Sequence, residues 1–270
     1  MNQLNHILST IFLLVFTATS LFAVNRTGLG LAQQILDDLY EVSGQFVQEK
    51  PSLLLSDENK RVASYSPSKN LITIDKKALE ICESMGNEKA NALAFLIGHE
   101  LTHAFQKEVR MHGETTHFLA YDHHYDNMVR TEKVADIQGV FTGYLANYGM
   151  QKAIPVVLEK IYGAYGLMGK QLPNYPTFEE RMASAREVIR LVDELIDLFE
   201  TNAYLLALGE YKEASYILEY IIEYYQGHEI QNNLGVCYLY SAKEFIDNEI
   251  DQFAFPVRLD GSSNLQKIDT

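Results

Sequence analysis

The chain of 270 residues contains no tryptophan, only two cysteines and only six prolines. So few cysteines exclude a disulfide-stapled scaffold. Cys82 and Cys237 lie far apart, each inside an apolar helical pattern, and read as buried free thiols. Positive charge is scarce as well: 22 Lys and Arg stand against 36 Asp and Glu, a net charge of −14. So acidic a surface repels a phosphate backbone, which argues against a nucleic-acid partner. The shortage is local, because residues 191–251 hold 13 acids and two basic residues, Lys212 and Lys243. That stretch reads as a solvated acidic helical surface or, alternatively, as a docking site for a basic partner. Long apolar runs are missing except at the start, which excludes a multi-span channel.

That one run, Ile7 to Val24, is interrupted only by Ser, Thr and Ala. It predicts a signal peptide over residues 1–23, cut after Ala23 or Ser20, or else an uncleaved N-terminal anchor. Either reading exports the rest of the chain. Hydrophobic residues make up 47% and charged residues 21%, too apolar for disorder and enough for one large core or two modest ones.

Periodicity predicts an α+β chain that is mostly helical. An amphipathic helix over 29–48 runs up to Pro51. Arg61–Ser66 and Leu71–Asp75 alternate as strands around Pro67-Ser68-Lys69-Asn70, which makes a β-hairpin. A short helix over Lys76–Ser84 precedes a long one from Glu88 to Val109. Met111–Asn127 is polar and reads as a loop. Further helices follow over Asn127–Tyr148 and from Pro155, then a linker from Gly166 to Pro176. Thr177 and Glu180 form a capping box for a long helix starting at Phe178, with helical pattern onward to about Ile250.

Chemistry concentrates in two short motifs. His99-Glu100-Leu101-Thr102-His103 sets two imidazoles four residues apart, on one helical face, where both reach one metal ion. Glu100 projects beside that face as a general base for a metal-activated water. On the next helix, Glu132-Lys133-Val134-Ala135-Asp136 offers Glu132 as third ligand, leaving a fourth position open. Asp136, one turn on, can accept a hydrogen bond from a ligand histidine and fix its tautomer. Gly139 and Gly143 continue that face and allow close approach of the His-bearing helix.

On these motifs, roughly residues 60–190 resemble gluzincin metalloendopeptidases of the HtpX and CAAX-prenyl-protease family. The likeness is greatest to soluble periplasmic members with a TPR domain behind the protease. The order of strand Leu71-Ile72-Thr73-Ile74, short helix, H-E-L-T-H and E-K-V-A-D carries it. The resemblance implies Zn2+ on His99, His103 and Glu132, with Glu100 as base. It also implies that the strand near Leu71 is the cleft edge to which an extended substrate adds. A family segment H-P-x-x-x-x-R here reads Tyr175-Pro176-Thr177-Phe178-Glu179-Glu180-Arg181, with tyrosine in place of histidine. It implies that Tyr175 and Arg181 lie near the metal, where Tyr175 can donate to a developing oxyanion. Local readings are a linker aromatic for Tyr175 and a helix-start ion pair for Arg181. His112, His117, His123 and His124, with Asp122 and Asp126, read as a solvated loop or as a second metal site or pH-sensitive lid.

Leu208-Gly209-Glu210-Tyr211-Lys212-Glu213-Ala214 resembles the inter-helix turn of a tetratricopeptide repeat, and Asn233–Tyr238 the first helix of another. One and a half repeats are too few to stand alone, so residues 191–250 are expected to pack on the protease. The tyrosines there line a peptide groove or serve inter-helix packing. The expected division is 1–23 leader, 24–190 zinc metallopeptidase and 191–270 TPR-like region with a tail. The expected function is an exported zinc endopeptidase acting on unfolded or envelope proteins, with the repeats binding substrate or an envelope partner. The rival is a non-catalytic helical scaffold or chaperone on the same fold.

Overall fold

The computed structural model describes residues 28–44, 49–58, 60–106, 118, 128–171 and 176–243, without the side chains of 128–131. The leader or anchor, Tyr175, the loop histidines and the tail beyond 243 lie outside the described residues.

Helix α1, Gly28–Ser43, buries Ala32, Ile35, Leu36, Leu39 and Val42, the stripe its spacing requires. It ends at Gly44, whose φ of 65° lies in the left-handed region that favours glycine. That stop falls well before Pro51, because a left-handed residue breaks the helix before proline has to. Pro51 instead opens a strand absent from the sequence reading, β1, Ser52–Ser56. Its core, Leu53-Leu54-Leu55, does not alternate in polarity, so no period-2 signal marks it.

The expected hairpin is formed by β2, Ala63–Ser66, and β3, Leu71–Asp75, joined through Asn70 at φ 44°. The strand order is β1-β3-β2, with β1 parallel and β2 antiparallel to β3. This corrects the expectation for Leu71: β3 is the central strand, paired on both sides, and no extended chain can add to it. Ile72 and Ile74 are fully buried, and their register partners Leu53, Leu55, Ala63 and Tyr65 lie against the same core.

Asp75 caps α2, Lys76–Glu83, by accepting from the Lys77 N–H. Helix α3, Lys89–Phe105, is buried continuously from Ala92 to Ala104. Such a helix needs cover on every side, and α1, α2, α4 (Met128–Leu145), α5 (Ala153–Ala164) and the sheet supply it. The tightest contact is with α4, where Gly98 and Gly139 meet backbone to backbone. A Cβ on Gly139 would stand 2.7 Å from the Gly98 carbonyl carbon and 2.9 Å from the His99 nitrogen. Gly143 does not share this contact; a Cβ there meets Met150 instead.

Helix α6, Phe178–Leu208, begins with the expected capping box and ends at Gly209 in the left-handed region, φ 79°. It runs without a break through residue 190, the expected boundary. Val188, Val192, Leu195 and Phe199 belong to the same core cluster as α4 residues Val140 and Phe141. Helices α7, Tyr211–Ile222, and α8, His228–Lys243, pack on each other and continue that core through Leu218, Ile221, Tyr225, Ile230 and Cys237. Tyr225 packs on Phe141 at 4.9 Å between ring centres, and Gln138 donates to the Tyr224 carbonyl at 3.1 Å. Tyr211 stacks on Tyr240, whereas Tyr204, Tyr216 and Tyr238 are exposed. Both cysteines are free and buried. Among the described residues, no helix is long and apolar enough to cross a membrane.

Candidate metal centre

The glycine crossing brings α4 beside the third turn of α3, and the two motifs meet there. His99 and His103, one turn apart, turn their Nε2 atoms toward each other at 3.0 Å. Glu132 reaches in from α4, with Oε2 3.2 Å from His99 Nε2 and Oε1 3.5 Å from His103 Nε2. Donor atoms of the three residues lie within 4.8 Å of one another. His99 and His103 are buried, and the Glu132 side chain is 12% exposed. Glu100, the next residue after His99, is fully buried.

The opposite ring nitrogens are already committed. His99 Nδ1 stands 2.8 Å from Asp136 Oδ1, and His103 Nδ1 stands 2.7 Å from Gln106 Oε1. Both contacts require the proton on Nδ1, which leaves each Nε2 as a lone pair. Two lone pairs and a carboxylate then face one point, an arrangement that repels itself unless a cation sits within it. This His-His-Glu group can hold a metal ion. In the metal-free protein a proton serves instead. Burial opposes charge on His99 most strongly, but hydrogen bonds and attraction from Asp136 and Glu132 outweigh it and push His99 up to about 10. For Glu132 burial again opposes ionisation, and the two imidazoles overcome it, drawing the carboxyl down to about 2.

Asp136 is fixed from a third element. Arg181, in the first turn of α6, donates from Nη1 to Asp136 Oδ2 and from Nη2 to Oδ1, the latter at 2.9 Å. Both groups are buried. Against the cost of burial, the Arg181 charge and its hydrogen bonds hold the Asp136 carboxyl far below the ordinary range. Arg181 thus reaches the centre as the resemblance implies, but it does so through Asp136. Both Nη atoms point at that carboxylate rather than at a coordination position. Asp136 bonds to His99, as its spacing predicted.

Two contributors escaped the sequence reading. Gln106 sits three residues after His103, at the helix end, where an i, i+3 contact is available. Phe118 comes from the polar loop and had no periodic signal. Its ring packs edge-on against His99 at 4.9 Å, and Arg181 lies over it at 5.5 Å. The Phe118 N–H donates to the Ala63 carbonyl at 3.2 Å, so the far side of β2 is engaged at this point.

No family model, curated protein or solved structure matches this chain.

Proposed function

We propose that the protein is a zinc-dependent endopeptidase, exported from the cytoplasm, which hydrolyses peptide bonds in unfolded or envelope proteins. In this reading residues 191–243 recruit substrate or a partner protein. The observation that carries the proposal is the convergence of His99, His103 and Glu132, with Glu100 adjoining the first ligand in the chain. Two imidazoles and one carboxylate are the donor set of hydrolytic zinc sites that keep an open position. When bound, zinc supplies a Lewis acid for the scissile carbonyl and for the attacking water.

The chain's own residues do the rest. Glu100 takes the proton from the attacking water on one carboxylate oxygen and passes it to the departing amide nitrogen. Asp136 holds the His99 Nδ1 proton in place, and Gln106 does the same for His103. Arg181 keeps Asp136 ionised and oriented. One observation favours the non-catalytic scaffold: Phe118 covers His99. A scaffold, however, gives no reason for a carboxylate to be completely buried at position 100. Casein cleavage and metal content, measured on the purified protein and its Glu100→Gln variant, separate the two. Zinc retained with proteolysis lost is the expected result. Equal cleavage by Glu100→Gln and the unsubstituted protein overturns the mechanism.

A further inference from the structure

The β1 strand is paired on one side only. Its ladder to β3 begins with the Ser52 N–H donating to the Asn70 carbonyl at 2.9 Å. The alternation of a parallel ladder then turns the N–H and C=O of Leu53 and Leu55 away from β3. Among the described residues no strand lies on that side. The side chains of Leu53 and Leu55 pack on the core, while Leu54 stands on the opposite face and is 53% exposed. A leucine at the centre of an open edge is a liability unless something pairs with it.

We propose that this edge pairs antiparallel with the same edge of a second copy, about a twofold axis through Leu54. The strand reads Ser52-Leu53-Leu54-Leu55-Ser56 in either direction. In the register centred on Leu54, Leu53 faces Leu55 of the second copy, and the two exchange both backbone hydrogen bonds. Leu55 and Leu53 repeat this on the other side of the axis. The outward groups are thus the ones such pairs need, and the two Leu54 residues form the close, non-hydrogen-bonded pair between them. Charge agrees with the same register. Antiparallel pairing sets Lys50 of one copy, which also bonds Asp37 at 2.7 Å, opposite Glu58 of the other, twice. A shift by two residues sets Leu54 against serine and parts Lys50 from Glu58. The contact closes at two copies, and it uses the sheet edge remote from β2, beyond which Phe118 and His99 lie.

Sedimentation velocity of the full chain from about 1 to 100 µM tests this, together with Leu54→Lys, Leu54→Cys and Ser52→Cys. Leu54 is exposed, so lysine there should leave the melting curve unchanged while two ammonium groups meet at the axis. The expected result is a dimer whose mass falls twofold in Leu54→Lys. Paired Leu54→Cys residues sit ~4.5 Å apart at Cα, within disulfide range, and should form a covalent dimer on oxidation. Ser52→Cys should not, because it faces position 56 of the other copy. Cys82 and Cys237 are buried and add no background. A monomer at 100 µM, or a dimer that survives Leu54→Lys, overturns the proposal. If Leu54→Lys does not fold, the cysteine variants decide, and equal cross-linking by both or by neither overturns it.

Discussion

At the scale of single residues, Asp136 is the group on which the most depends. It accepts from His99 on α3 and from Arg181 on α6, and it is 1% exposed. Asp136→Asn would present an amide NH2 to one of two donors and leave the guanidinium buried without its counter-charge. Breaking such a pair costs about 3–5 kcal/mol, and loss of a ligand's outer partner typically weakens metal binding ~10–100-fold. Urea denaturation and zinc competition against a chelating dye should register both losses; unchanged affinity would remove Asp136 from the centre. The ionisations predict a pH profile for the metal-stripped protein. His99 is raised from 6.5 to about 10, so its contribution is complete below pH 6.5 and is lost as pH climbs through 10. Glu132 and Asp136 are lowered from 4.5 and 3.8, so theirs is complete above those values and is lost as pH falls. The melting temperature should therefore be highest between about pH 5 and 6.5 and decline on both sides. A metal ion bound here would displace the His99 proton, so the apparent affinity for zinc should rise with pH through the neutral range. A stripped protein that becomes steadily more stable from pH 7 to 10 would contradict the assignment.

At the scale of elements, the crossing of α3 and α4 sets the distance between the two motifs. Gly139→Ala puts a methyl group against backbone that cannot move aside, so α4 must shift and carry Glu132 and Asp136 with it. Overpacking of this kind costs ~1–3 kcal/mol, and zinc affinity should fall with it. Gly143→Ala meets the flexible end of Met150 and should spare the metal. Equal zinc affinity for Gly139→Ala and the unsubstituted chain would uncouple crossing from centre. The same elements measure what was legible in advance. His99 with His103, and Glu132 with Asp136, were readable as pairs because helical spacing sets each pair on one face; that the two pairs meet depends on the crossing. The cap at Thr177 and Glu180 was readable because both partners are local. The role of Arg181 as a clamp on Asp136 was not, since the pair spans 45 residues and only packing joins them. Nor was β1, because an unbroken leucine run carries no period. The central place of β3 follows from β1 and was missed with it.

At the scale of the molecule, one core runs from α1 to α8, and the two thiols sample its ends. Burial chiefly, with Glu83 adding to it, pushes Cys82 up to about 12, and burial pushes Cys237 up to about 11. Neither should react with an aromatic disulfide reagent in the native protein. Because α6 packs on α4 and α5, α7 on α6, and α8 on α7, both thiols should become reactive over the same range of urea. Reaction of Cys237 at distinctly lower urea than Cys82 would mean that the C-terminal helices open on their own. By the same reasoning, residues 191–243 expressed alone should show no cooperative melt, since Leu195 and Phe199 would lose the helices they pack on.

The reach of the Arg181–Asp136 pair also has a meaning in time. Synthesis delivers the three side chains that could hold a metal ion by residue 132, but the clamp only at residue 181. At roughly 5–20 residues per second, about 2 to 10 s separate the two. For most of that interval the nascent chain owns His99, His103 and Glu132 together with Gln106 and Asp136, but not the guanidinium that orients Asp136. The centre is finished from behind, and any ion that enters early meets a loose claw instead of a fixed one.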